Sequence, residues 1–185
     1  AGEMISKSFS VPVTDLEEIL ARNCHISDTA RAARFCRQAE QARYFCKDIH
    51  YPDVPLHTPT FDTTLLSAHI RPGHVMLIDC WASWCGPCRA AIPAVKALYD
   101  KYDRDRFDVI SISLDSKKED WQKALEEEKM PWPQFIAGNR GYEQLTLRYN
   151  INSIPNLILI DDKGQVVCNT FSPEEISIEL EEILR

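Results

Sequence analysis

Asp79-Cys80-Trp81-Ala82-Ser83-Trp84-Cys85-Gly86-Pro87-Cys88-Arg89 is the stretch on which the reading of this chain turns. It follows the apolar run Val75-Met76-Leu77-Ile78 and leads into residues 90–102, whose apolar positions recur at helical spacing. A continuous apolar run is what a central strand shows when both of its faces are covered. Two cysteines separated by two residues, entering a helix just after such a strand, place one thiol on the exposed first turn and the second about one turn inside, on the same face. That is the geometry of a reversible disulfide. Free backbone amides and the helix dipole at the helix start stabilise the thiolate of Cys85, so Cys85 is the expected nucleophile and remains reachable. Cys88 is then the resolving thiol, with Gly86 and Pro87 shaping the turn between them.

Asp79 ends the apolar strand and is expected to be at least partly buried. Desolvation there raises a carboxyl pKa and suits it to exchange protons with Cys88 near neutral pH. Cys80, adjacent in the strand, points to the opposite face and reads as inert core. A metal-binding reading of the Cys-x-x-Cys lacks a second Cys or His pair at zinc spacing, and His57, His69 and His74 form no triad or ligand pattern. No metal or other cofactor is expected.

Composition bounds the rest. A chain of 185 residues with 44% apolar and 26% charged residues supports one well-buried core plus an appendage and is short for two full domains. A net charge of -7 argues against a nucleic-acid or anionic-membrane surface and points to protein thiols as partners. The seven cysteines are one close pair and five scattered positions, without the dense spacing of a disulfide-stapled miniprotein. No stretch approaches a membrane span, and the opening Ala1-Gly2-Glu3-Met4 lacks the features of a signal peptide. The sequence as it stands reads as soluble and monomeric, and a membrane anchor would belong to a segment it does not contain.

From the start, Thr14-Asp15-Leu16-Glu17 is a capping box opening a short helix, and Ser27-Asp28 caps a second whose apolar residues run from Ala32 to Ile49 at helical spacing. This amphipathic hairpin, residues 1–50, is an N-terminal helical extension too poor in apolar area to fold alone. Its Cys36 and Cys46 are too far apart on one helix to bridge each other, so any disulfide there involves Cys24 or a distant residue. Three prolines between Pro52 and Pro59 mark a linker into the main domain, residues 51–185. A strand is expected over residues 60–66, then the Arg71-Pro72-Gly73 turn, the dithiol strand and helix, and a parallel strand over residues 107–114. Ser116-Lys117-Lys118-Glu119 reads as a capping box for a helix to Glu128, stopped by Pro131 and Pro133. A short helix over residues 142–149, a hairpin formed by residues 156–160 and 165–170, and a helix capped by Ser172 complete the chain.

The order β-α-β-α-β-β-α, with the dithiol at the first strand-to-helix junction, resembles the thioredoxin superfamily. The resemblance is to the extracytoplasmic TlpA/ResA-like thiol-disulfide oxidoreductases and spans residues 59–185. It rests on Trp84-Cys85-Gly86-Pro87-Cys88, on Asp79 six residues before the first cysteine, on Trp81, on Pro93 five residues after the second cysteine, and on Ile154-Pro155. The helix at residues 119–128 followed by Trp132-Pro133 resembles the insert that separates this group from plain thioredoxin. The resemblance implies a thioredoxin-like α/β fold, a central mixed sheet flanked by helices. It implies an enzyme that reduces protein disulfides through a mixed disulfide, served by an upstream thiol reductant, in the periplasm or elsewhere outside the cytoplasm. It implies a cis bond between Ile154 and Pro155, opposite the dithiol, pairing with an extended substrate. Substrate is then met by Trp84, Gly86, Pro87, Ile154 and Pro155, with Trp81 and Trp84 shaping an apolar rim. Gly-Pro between the cysteines resembles the reducing members. In thioredoxins a lysine accompanies the buried carboxylate, and here Ser111 stands at the matching position.

Two other functions occur on this fold. A thiol peroxidase on this fold needs a Pro-x-x-x-Thr-x-x-Cys motif, which none of the seven cysteines has. A non-enzymatic role, as copper chaperone or redox-inert binding module, would use the same groove, but the copper-binding relatives space their cysteines by three residues and this chain by two.

Overall fold

The computed structural model describes residues 49–185. The helices expected within residues 14–48, and the pairing of Cys24, Cys36 and Cys46, lie outside the described residues. Along the chain come β1 (Ile49–His50), β2 (Pro55–His57), β3 (Thr63–Leu65), a 3-10 turn (Leu66–His69), β4 (Val75–Trp81) and α1 (Gly86–Lys101). Then follow β5 (Phe107–Ser113), α2 (Lys118–Glu128), β6 (Gln134–Ile136), α3 (Gly138–Arg148), β7 (Asn156–Ile160), β8 (Gln165–Thr170) and α4 (Pro173–Ile183). All the strands join one mixed sheet in the order β1-β8-β7-β4-β5-β6-β2-β3.

β4 lies at the centre, parallel to β5 and antiparallel to β7, and all seven of its residues are buried. Its period-2 alternation divides two cores. Val75 and Leu77 pack with Val95 and Leu98 of α1 and with Ile176 and Leu180 of α4. Met76, Ile78 and Cys80 pack on the other side with Leu145 of α3, Tyr149, Val54 and Leu56. Helices thus cover both faces, which is why the strand is apolar throughout rather than alternating. The expected mixed sheet flanked by helices is the one observed. The β7–β8 hairpin turns at Gly164, whose φ of 79° suits glycine, and the Asp161 carboxylate accepts the amides of Lys163 at 2.9 Å and Gln165 at 2.8 Å. Ser172 caps α4 as expected, its hydroxyl accepting the Glu175 amide at 3.3 Å.

Four local expectations differ. The proline-bearing segment is no bare linker: Pro55–His57 pairs with β3 and β6, the Tyr149 hydroxyl donates to the Pro52 carbonyl at 2.6 Å, and the Asp53 carboxylate accepts the amide and hydroxyl of Ser67. Pro55 fits because the first residue of a strand tolerates a missing donor. The strand expected over residues 60–66 shortens to Thr63–Leu65. Thr58, Thr60 and Asp62 hydrogen-bond one another and curl the chain, and Phe61 takes φ 69°. The capping box at Ser116 does not form: Lys117 is the N-cap of α2, without a side-chain cap bond. Glu119 and Asp120 in the first turn complement the helix dipole instead. Finally, β6 is an additional strand, three residues long, between Pro133 and an α3 that begins at Gly138 rather than near Tyr142.

Candidate active site

α1 starts at the dithiol. Cys85 is its N-cap residue, Gly86 and Pro87 open the first turn, and the Cys88 amide donates to Cys85 Sγ at 3.2 Å. The two cysteines are joined as a disulfide with a Cα–Cα distance of 5.3 Å. The local sequence explains the geometry: proline in the first turn needs no donor, and a sulfur at the cap position takes the amide that a serine or aspartate would otherwise accept. Cys85 is 5% exposed and Cys88 2%, so in the disulfide form the nucleophile is far less accessible than its position at the helix start implied. Gly86 and Pro87, which follow it, are exposed.

Around the disulfide, Trp81, Ala82, Ile92, Trp121, Ala124 and Ile136 form one buried cluster with Cys85 and Cys88. Ile154 packs against this cluster, and the Ile154–Pro155 bond is cis, as the resemblance implied. The chain thereby brings two segments about seventy residues apart to the same place. Trp81 is fully buried beneath the dithiol and shapes no rim, which corrects that expectation: as the last residue of a strand covered on both faces it points into the cluster. Trp84 does face solvent, at 70% exposure. It borders an open cavity of about 450 Å³ whose other walls are Leu114, Asp115, Ser116, Ala137, Gly138, Asn139 and Tyr142. Tyr142 was not singled out from sequence.

Asp79 is buried and sits on the α1 side of β4, between Leu77 and Trp81 in the alternation. Desolvation pushes its carboxyl up to about 6, partly opposed by the Ser111 hydroxyl, which donates to Oδ2 at 2.8 Å. Ser111 is opposite Asp79 in the parallel register, on the neighbouring strand where the resemblance placed it. Cys80 faces the other core, and burial pushes its thiol far up, consistent with an inert role. A second carboxylate escaped the sequence reading. Asp115, at the end of β5, accepts the Ser83 amide at 2.8 Å, the Ser83 hydroxyl at 2.7 Å and the Ser113 hydroxyl at 2.7 Å. It clamps the loop that carries Trp84 and Cys85; its only sequence mark is an acidic residue just after a buried strand. His69 bonds Thr64 and rests on Phe135, and His74 lies 3.5 Å from Asp108, so neither belongs to the site. Among the described residues no cluster of three or more His, Cys, Asp or Glu side chains is arranged to hold a metal ion.

A disulfide at the start of a helix that leaves a central strand, faced by a cis-proline loop, defines a thiol-disulfide oxidoreductase of thioredoxin type. Residues 73–166 match the Thioredoxin-like family model, and the chain belongs to that family, among its TlpA/ResA-like thiol-disulfide oxidoreductases. It is 26% identical over 133 residues to thiol-disulfide oxidoreductase ResA of Geobacillus kaustophilus, a match covering 68% of this chain and 75% of that protein. It is 24% identical over 104 residues to sporulation thiol-disulfide oxidoreductase A of Bacillus subtilis, covering 55% of this chain and 61% of the relative. The fold superposes on the thioredoxin domain of a thiol-disulfide oxidoreductase from Bacteroides vulgatus with a TM-score of 0.68 at 24% identity, covering 76% of this chain and 99% of that domain.

Proposed function

We propose that the protein works as a reductant of disulfides in other proteins, with Cys85 attacking, Cys88 resolving and Asp79 moving the proton. The observation that carries this reading is the Cys85–Cys88 disulfide at the α1 start, against which Ile154 of the cis-proline loop packs. In the reduced enzyme the Cys85 thiolate attacks one substrate sulfur, forming an intermolecular disulfide and expelling the other substrate sulfur as thiolate. Cys88 gives its proton to the Asp79 carboxylate and attacks Cys85 Sγ; the second substrate thiolate leaves and the observed disulfide forms. Two electrons pass to the substrate, and an upstream thiol reductant restores the pair. Trp84, Gly86, Pro87, Ile154 and Pro155 are the surface that meets the substrate, and the exposure of Trp84, Gly86 and Pro87 supports that assignment. Gly-Pro between the cysteines supports the reducing direction, and the ResA-like kinship supports a location outside the cytoplasm, the periplasm in a bacterial envelope. The boundary expected after residue 50 shifts to before Ile49, since Ile49 and His50 pair with β8, and residues 1–48 are an N-terminal extension of this domain.

The test is reduction of insulin or another disulfide protein with dithiothreitol as donor. Cys85→Ser abolishes turnover, and Cys88→Ser accumulates a mixed disulfide with substrate that non-reducing electrophoresis captures. Unchanged turnover in Cys85→Ser overturns the reading.

A further inference from the structure

The Asp79 carboxyl is buried with no basic partner: among the described residues no lysine, arginine or histidine is hydrogen-bonded or ion-paired to it. What it has instead is a chain of two donors. Trp132 Nε1 donates to Ser111 Oγ at 2.7 Å, and Ser111 Oγ donates to Asp79 Oδ2 at 2.8 Å. We propose that Ser111, oriented by Trp132, is the positioning group that stands in for a cation beside Asp79 and sets when that carboxyl can take the Cys88 proton. The proposal rests on the reading of Asp79 as the proton acceptor.

The direction of the chain is fixed by chemistry. An indole nitrogen only donates, so it occupies a lone pair of Ser111 Oγ and leaves the single hydroxyl proton to be donated; an ionised Asp79 carboxylate at 2.8 Å outcompetes the weak thioether acceptor Met130 Sδ for it. Serine and tryptophan are themselves buried, at 0% and 3% exposure, so water does not compete for these bonds. The tryptophan is held in place from both sides. Pro131 and Pro133 restrict its backbone, and the Ser111 amide donates to the Pro133 carbonyl at 3.1 Å, tying the segment to β5. Met130 Sδ closes the remaining side, 3.8 Å from Ser111 Oγ. The neighbouring elements add no competing charge. β7 places Leu157 opposite Asp79, and Cys80 on β4 faces the other core. Of the charged groups on α1 and α2, Arg89, Lys96, Glu127 and Glu128 engage one another, Arg89 with both carboxylates and Lys96 with the Glu128 carbonyl, and none of the others on these helices is hydrogen-bonded or ion-paired to Asp79. On the proposed reading the group Asp79 serves is the reduced Cys88 thiol, which packs with Trp81 on the same side of β4, while the Cys80 thiol, which feels the Asp79 charge but is turned to the other core, is held protonated by burial.

A donor aimed at a carboxylate favours its charged form, and only the charged form accepts the proton that Cys88 sheds as it attacks Cys85 Sγ. The chain therefore extends resolution to lower pH. The test uses the full chain in the reduced state and a symmetrical aryl disulfide whose thiolate is coloured. The first equivalent released reports attack by Cys85, the second reports resolution by Cys88, and the second phase is followed across pH. Ser111→Ala should move the acid limb of that phase upward by about one to two pH units, Trp132→Phe by less in the same direction, and Ser111→Thr should restore the position. The first phase should not move. A limb unmoved in both Ser111→Ala and Trp132→Phe, with fold verified by circular dichroism, overturns the proposal; if Ser111→Ala does not fold, Trp132→Phe against wild type decides. Asp79→Asn separates the two layers. An acid limb left at its wild-type pH in Asp79→Asn overturns the reading of Asp79 itself, whereas a limb moved there into the ordinary thiol range but unmoved in the other variants removes only the role of Ser111 and Trp132.

Discussion

Asp79 is 4% exposed, and its carboxyl is raised from 3.8 to about 6, first by desolvation, against which the Ser111 hydroxyl works. The sign of its effect on stability follows. Below the ordinary aspartate range the group is neutral folded or unfolded and makes no difference. Between about pH 4 and 6 the unfolded chain ionises while the folded one stays protonated, so stability is lost as pH rises. Above about 6 the loss is complete, of the order of 3 kcal/mol for a shift of this size. Asp79→Asn keeps the shape and an acceptor for Ser111 without the charge. It should therefore raise unfolding free energy at neutral pH by about 1–3 kcal/mol, with the gain fading below about pH 4, measured by urea denaturation across pH. The same substitution should slow resolution by Cys88. A residue that stabilises the fold when neutralised, yet slows the reaction, is one kept for chemistry rather than for packing. Asp79 was legible because it ends an apolar run six residues before a cysteine. Its partner Trp132 was not, because a tryptophan between two prolines carries no sequence mark of the hydroxyl it will reach across the sheet.

At the scale of elements, long periodic segments read correctly and short ones did not. β4, β5, α1 and the β7–β8 hairpin announce themselves by sustained runs or by a turn with glycine at positive φ. β2, β3 and β6 have three residues each, too few for a period, and their pairing comes from the sheet edge they join. The segment before the dithiol strand thus looked like a linker although it is built into the fold. α3 makes the point testable. Gly141 lies on its buried side, where an added Cβ would come within 2.5 Å of the Pro55 carbonyl oxygen of β2 and 3.2 Å of Ala137 Cβ. The obstacle is backbone, which cannot turn aside as a flexible side chain would. Gly141→Ala should push α3 off β2 and destabilise the protein by about 2 kcal/mol or more, despite alanine's better helix propensity, read as a lower midpoint in chemical denaturation. An unchanged midpoint would mean that the Pro55–His57 segment docks loosely, as a true linker does.

For the whole molecule, the dithiol and the fold are linked by a closed cycle: the difference in unfolding free energy between oxidised and reduced protein equals the difference in reduction potential between the unfolded and the folded pair, scaled by two electrons. Whether the folded state favours the disulfide or the dithiol can therefore be read from stability. A pair that reduces other proteins has a folded state favouring the disulfide, so the oxidised protein must be the more stable form; a pair that oxidises others stabilises its dithiol instead. The disulfide spans only three residues of sequence and closes too short a loop for chain entropy to dominate. The difference thus reports the surroundings: the cluster of Trp81, Ile92 and Trp121, the Cys88 amide on Cys85, and the buried Asp79. Reduction should add a buried Cys88 thiol to a site that already holds the Asp79 carboxyl without a basic partner, so the gap should depend on pH around the Asp79 midpoint. Thermal or urea denaturation of the oxidised protein and of the same protein kept reduced should place the oxidised form higher. The gap should correspond to about 1.4 kcal/mol for every 30 mV by which the folded pair is more reducing than the unfolded one. A reduced form that melts higher would reverse the proposed direction and make the pair an oxidant of its partners, with the roles of Cys85 and Cys88 unchanged.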